Sequence, residues 1–415
     1  MSFVARRLAA FSAAMILLAA SQGSALAQKK YDVGATDTEI KIGNTMPYSG
    51  PASAYGVIGK TEQAYFDKIN AEGGINGRKI TFVSYDDAYN PPKTVEQARK
   101  LVESDEVLLI FSPLGTATNT AIQKYMNEKR VPQLFVSSGA TKWNNPRDFP
   151  WTMGWLPNYQ SEAGIYAKYI LKEKPNARIA VLYQNDDYGR DYLKGLKDGL
   201  GDKAASMIVA EDAYDVTEPT IDSHIVKMKS LDADVFVDIT GPKFAAQAIR
   251  KAAQIGWKPL HILNNVSASV GMVMSPAGFD ASQGIISSAY MKDPTDPQWK
   301  SDPAFKELNA FLDKYYPEAN RTDAAIIYAY TMAQALEHVL VACGDNLTRE
   351  NVMKQAASIR NLELGGLLPG IKVNTSATDF APLSQVQLAR FKGETWERFG
   401  DVIDADVMTV AGSAR

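Results

Sequence analysis

Hydroxyls, amides, glycines and tyrosines gather in a few short stretches of this 415-residue chain: YSGPASAY at 48–55, SPLGTATNT at 112–120, SSGAT at 137–141, DDY at 186–188, TGP at 240–242 and NN at 264–265. Groups of this kind hold a ligand by hydrogen bonds. Catalysis would need a histidine, or a carboxylate of raised pKa, beside an activated nucleophile. His224, His261 and His338 are scattered, with no metal-ligand spacing among them, and Cys343 is the sole cysteine. There is no G-x-S-x-G elbow, Walker A motif or G-x-G-x-x-G. Asp86, Asp87, Asp186 and Asp187 are the carboxylates close to these stretches, and helix or turn capping explains them simply. The chain therefore reads as a binder rather than an enzyme, with no cofactor or metal expected.

The 112–120 loop carries the most specific chemistry. It follows the apolar run VLLIF at 107–111 and precedes AIQKYMNE, an amphipathic helix expected from Ala121. The first-turn N–H groups of a helix lack partners within it, and the helix dipole favours negative charge there. Gly115 admits a ligand close to the backbone, and Thr116, Thr118 and Thr120 offer hydroxyls. The simpler alternative is ordinary capping by Thr or Asn.

The elements that must position these stretches alternate. Strands are expected at 40–42, 79–85, 107–111 and 133–136, then at 178–183, 207–210, 235–239 and 261–264, with helices between them. A capping-box pattern, Thr94 with Gln97, opens one helix. Alternation of this kind makes right-handed crossovers and parallel sheets, and two consecutive runs suggest two sheets. In such sheets ligands sit at the carboxyl ends of strands, where the polar stretches fall. Helices follow at 305–316 and 324–342, and strand character returns at 385–391.

Arg6-Arg7, an apolar run from Leu8 to Ala20, and Ala25-Leu-Ala27 form a secretory leader that would leave Gln28 as the mature N-terminus. The run is too short for a comfortable membrane span, and no later stretch is expected to reach that length. The formal net charge of −3 becomes more negative once the two arginines are removed, which gives no reason to expect a nucleic-acid partner. One cysteine excludes an internal disulfide, so stability rests on the core. The mature length suits two domains.

The segments IKIG at 40–43, PYSGP at 47–51, AYG at 54–56, INAEGGINGRK at 69–79, YDDA at 85–88, SSGAT at 137–141 and DYG at 187–189 resemble the substrate-binding proteins of branched-chain amino-acid ABC importers, the Leu/Ile/Val-binding type. The resemblance implies an α/β type I periplasmic binding fold with two Rossmann-like lobes, parallel sheets and three crossovers. Residues 38–157 and 288–365 would form lobe 1, and 158–287 and 366–415 lobe 2. The partners implied are a small carboxylate ligand and the membrane permease subunits of an ABC importer, and a periplasmic monomer is expected.

Transferred position by position, the resemblance places the ligand carboxylate on Leu114, Gly115 and Thr116 and on Gly139, Ala140 and Thr141. Tyr55 would pack on the ligand body and Tyr188 would face it from the second lobe; Tyr48, which shares a strand end with Tyr55, would by its position add a further aromatic ring to the cleft. Two departures follow. Asn265 stands where amino-acid binders carry an acid for the ammonium, and Gly241 replaces a larger polar residue. A disulfide made by some members would join the positions of Tyr89 and Leu114, and neither is cysteine. The expected ligand is an apolar or aromatic acid without an amino group. An amino-acid binder or a sensor subunit are the alternatives. Trp143, Trp151 and Trp155 either stack on a flat ligand or pack the hinge.

Overall fold

The computed structural model describes residues 29–404, so the secretory leader expected at 1–27 lies outside the described residues. The first run of strands forms a five-stranded, wholly parallel sheet in the order Lys79–Asp86, Glu39–Met46, Leu109–Phe111, Gln133–Val136, Thr152–Gly154. Leu109, Ile110, Phe111 and the whole of Gln133–Val136 are buried, as expected of strands covered by helices on both faces.

The second sheet has seven strands. Ile208–Tyr214, Ile179–Gln184, Val235–Ile239, Leu260–Leu263 and Ile286–Ala289 run parallel. An antiparallel hairpin, Gln385–Lys392 with Thr395–Asp404, closes one edge. Its turn uses Gly393 at φ 64°, a conformation that costs glycine little. The second sheet is thus mixed rather than purely parallel.

Tyr290–Lys292 and Gly366–Leu368 run side by side between the sheets: Leu368 N donates to the Tyr290 carbonyl, and Lys292 N to that of Gly366, each at 2.9 Å. Between these segments lie helices Pro303–Tyr315 and Ala324–Cys343. They pack on helix Gly56–Ala71 of the first lobe, where Tyr65 meets Tyr330 at 5.2 Å between ring centroids and donates to Glu337.

Helix Ala324–Cys343 is long and apolar enough to cross a membrane, contrary to the expectation that no later stretch would be. It is instead a core helix, with 72% of its most apolar window buried inside the protein. Cys343 is buried there, and burial pushes its thiol up to about 12.

Two local expectations are corrected. Thr94 does not open a helix. The helix is Pro91–Glu103, started by Pro91 and Pro92, whose fixed φ suits a first turn, and capped by Asn90, which accepts from Lys93 N. Thr94 Oγ1 donates to Asp87 instead. The helix after the 112–120 loop starts at Thr116 rather than Ala121, because Gly115 at φ 101° turns the chain directly into it.

Candidate functional site

The carboxyl ends of both sheets face one another across a cavity. It holds about 170 Å³ of space for the centres of water-sized molecules, many times the ~10–15 Å³ that admits one water. Its first-lobe wall includes Tyr55, Tyr89, Leu114, Gly115, Thr116 and Ser137. Gln184, Tyr188, Gly241, Asn265, Val266 and Met272 contribute from the second lobe, and Tyr290 and Tyr328 from the hinge side. Tyr55, Leu114, Gly115, Thr116, Tyr188, Gly241 and Asn265 are therefore brought together as their strand-end positions suggest.

Helix Thr116–Lys129 enters this cavity uncapped. Its N-cap is Gly115, and no side chain accepts from the first turn. The nearby polar side chains turn the other way. Thr118 Oγ1 donates to the Leu114 carbonyl, Asn119 Nδ2 to those of Pro113 and Gly115, and Thr120 Oγ1 to that of Thr116. Capping by Thr or Asn is thereby excluded at this helix, and its amides stay free for an anion. Tyr89 lies against Gly115, where a Cβ would come within 2.4 Å of the ring. The loops that a disulfide would join are held by this ring contact.

Tyr48, Gly139, Ala140 and Thr141 are not on the cavity wall, which corrects their expected roles. Tyr48 packs on Gly59 inside lobe 1 and shares a 2.6 Å hydrogen bond with Ser84, and burial pushes its phenol up to about 12. Gly139 is covered by Tyr159, whose N donates to the Gly139 carbonyl at 2.8 Å. Ala140 N donates to Ser138 Oγ. Thr141 gives both its amide (2.8 Å) and its hydroxyl (3.0 Å) to Asp191 Oδ2 from the other lobe. A protein carboxylate thus takes the donors expected to meet the ligand.

Trp143 and Trp155 are buried away from the cavity, Trp143 donating to Ser138 Oγ and Trp155 packing on Phe135. Trp151 packs on the same core. Packing of the hinge region is the reading the geometry matches.

Further contacts tie the lobes. Tyr55 Oη donates to the Val266 carbonyl, Gln184 Nε2 to Tyr89 Oη, Ser269 Oγ to Asp323 and Gly271 N to the Thr322 carbonyl. Lys142 Nζ pairs with Asp187 at 2.7 Å. Burial raises Tyr55, Tyr89, Tyr159, Tyr188, Tyr290 and Tyr328 above the usual phenol range. They meet a ligand as neutral phenols, able to donate and accept.

The strand-end carboxylates have structural partners. Asp86 accepts from Ser49 and pairs with Lys93; these bonds outweigh burial and hold it well below the usual range. Asp186 caps helix Asp187–Leu200 through Tyr188 N and Gly189 N. Among the described residues no group of His, Cys, Asp and Glu is placed to hold a metal.

Several wall residues were not evident from the sequence: Tyr89, Tyr159, Gln184, Tyr290, Tyr328 and Trp396. Glu162, behind the wall, was missed too. It is 1% exposed and sits one helical turn before Tyr166, in the first turn of helix Tyr159–Glu173.

Residues 39–395 match the family model described as periplasmic binding protein. The chain is 30% identical to the leucine-specific-binding protein of Salmonella typhimurium over 289 residues, 64% of this chain and 76% of that one. A branched-chain amino acid ABC transporter structure from Thermus thermophilus with bound valine superposes with a TM-score of 0.81 at 15% identity, covering 91% of this chain and 99% of that one. The fatty acid ABC transporter substrate-binding protein from Thermomonospora curvata does so at 0.78 and 21%, covering 92% and 96%.

Proposed function

The chain belongs to the periplasmic binding protein family, and from that premise we propose that it captures a small carboxylate with an apolar or aromatic body and delivers it to the permease of an ABC importer. The observation that carries this reading is the uncapped N-terminus of helix Thr116–Lys129 opening into a cavity walled by tyrosines. The acid end meets the free amides and the Thr116 hydroxyl. The body lies among Tyr55, Tyr188, Tyr290 and Tyr328.

We assign lobe 1 to residues 38–157 and 288–365 and lobe 2 to 158–287 and 366–415, moving about the crossovers as ligand enters. Export by the leader at 1–27, and action as a monomer, complete the reading. No catalytic step is assigned to the groups of the cavity wall. The alternative is an amino-acid binder, favoured by the leucine-specific relative. Against it stands Asn265, since a buried ammonium facing an uncharged amide lacks its charge partner.

Mass spectrometry of co-purified ligand, followed by a thermal-shift panel, tests the choice. A bound ligand at 100 times its Kd stabilises by about 2.7 kcal/mol. Benzoate- or cinnamate-like acids should shift the transition and leucine and valine should not. Micromolar binding of leucine or valine, with no response to the aromatic acids, rejects the proposal.

A further inference from the structure

Glu162 lies immediately behind the cavity wall, and its two oxygens are fully occupied by donors. Oε1 accepts from Tyr166 Oη at 2.5 Å and Asn265 N at 3.0 Å. Oε2 accepts from Tyr192 Oη at 2.7 Å and from Asn265 Nδ2. Among the described residues no Lys or Arg pairs with Glu162, so four hydrogen bonds stand in for a counter-ion. Tyr166 is itself fixed, accepting from Ser288 N at 3.0 Å.

Burial raises the Glu162 carboxyl above its usual range, but four donors converge on its two oxygens and hold it as an acceptor, so the Asn265 amide turns its NH2 group inward. Asn265 is on the cavity wall, and its Oδ1 has no hydrogen-bond partner among the described residues. From this geometry we infer that Glu162 is a positioning residue for specificity: it locks Asn265 so that a bare acceptor, Oδ1, faces the ligand and favours one that presents a hydrogen-bond donor there. The inference builds on the proposed capture of an acid but concerns a different wall of the cavity. Among the acids proposed above it favours those with a hydroxyl beside the apolar body over those with a carbonyl at that point. A ligand with only a carbonyl at that point sets oxygen against oxygen and leaves both unpaired in a buried site, the kind of mismatch that binding sites reject strongly.

Glu162→Gln makes the test specific. The backbone N of Asn265 cannot turn, so the glutamine oxygen must occupy the Oε1 place. Its NH2 then faces the Asn265 side chain, which must flip and offer Nδ2 to the cavity.

Calorimetry with 3-phenyllactate, phenylpyruvate, phenylalanine and 3-phenylpropanoate reads the outcome. In the native protein 3-phenyllactate should bind at least about tenfold tighter than the keto acid, with 3-phenylpropanoate, which has neither group, between them. Phenylalanine should bind more weakly than phenyllactate, because its ammonium would face an uncharged amide. In Glu162→Gln the advantage of phenyllactate over the keto acid should vanish or invert. Equal binding of keto and hydroxy acids by the native protein overturns the inference. So does an unchanged ratio in a folded Glu162→Gln protein.

A second measurement needs neither ligand nor a stable variant. The side-chain NH2 resonance of Asn265, with its 15N label, should lie downfield in the ligand-free native protein and show a scalar coupling to the Glu162 carboxyl carbon across the hydrogen bond. An NH2 pair at the solvent-exposed position, without that coupling, refutes the locked amide even if every acid tested fails to bind. Failure of all four acids with the coupling present instead counts against acid capture.

Discussion

Asp191 Oδ2 receives both the amide and the hydroxyl of Thr141, at 2.8 and 3.0 Å, across the gap between the two lobes. Gln160 Nε2 holds the other oxygen at 2.6 Å. A loop whose sequence resembles a carboxylate cradle is therefore satisfied from within the protein, and its hydrogen bonds serve closure of the lobes. Hydrogen bonds to a charged group contribute about 1.5–3 kcal/mol each.

Replacing Asp191 with Ala should thus favour the open form. Small-angle scattering of the ligand-free protein should show an increased radius of gyration, and ligand affinity should fall roughly tenfold, since binding must then also restore closure. An unchanged radius and affinity would show that the contact is incidental.

Thr116 and Thr141 should separate in their effects. Thr116 Oγ1 is at the cavity and shares a 2.7 Å hydrogen bond with Ser138 Oγ. Thr116→Ala should weaken all acids alike, by about 1 kcal/mol or roughly fivefold. Thr141→Ala should reproduce the scattering change of Asp191→Ala. Calorimetry showing Thr116→Ala with full affinity would remove the helix N-terminus from the site.

Gly115→Ala should damage both fold and binding. A Cβ there would lie 2.4 Å from Tyr89 and 2.7 Å from Thr118 Oγ1, on a backbone at φ 101°. Strain of this kind costs about 1–3 kcal/mol, visible as a lower midpoint in urea. Displacing Tyr89 also breaks its hydrogen bond with Gln184 and should abolish measurable binding.

Asp293 gives the stability a pH dependence. It lies at the hinge-side end of the cavity. Burial, partly offset by bonds from Thr295, pushes its carboxyl up from 3.8 to about 6. Below the lower value both folded and unfolded chains are protonated there, so the residue costs nothing. As pH rises through the window to about 6 the unfolded chain ionises first, and stability falls. Asp293→Asn should be unchanged at pH 3.5 and more stable by about 1–3 kcal/mol at pH 7.5. Equal stability of the two proteins at pH 7.5 would contradict the shift.

What the sequence made legible follows from range. Strand ends are local: an apolar run followed by hydroxyls and glycine places Leu114, Gly115, Thr116, Tyr188, Gly241 and Asn265 near a ligand without knowledge of any other strand. Tyr290, Tyr328 and Trp396 reach the same cavity from a crossover, a core helix and a terminal hairpin, and no local pattern marks them. Thr141 misleads for the opposite reason. Its loop is correctly read, but which carboxylate it meets depends on how closely the lobes approach. Glu162 left a faint trace as an acid one turn before Tyr166, and its partner Asn265 is about a hundred residues away.

The central claim is that the free amides of helix Thr116–Lys129 hold a carboxylate while the tyrosines hold its body. Calorimetry comparing a cinnamate-like acid with its own primary amide tests this most directly, because the two differ only in charge at the group the helix should hold. The acid should bind, and the amide should bind at least about tenfold more weakly, the equivalent of about 1.4 kcal/mol. Equal affinity for acid and amide would contradict the account.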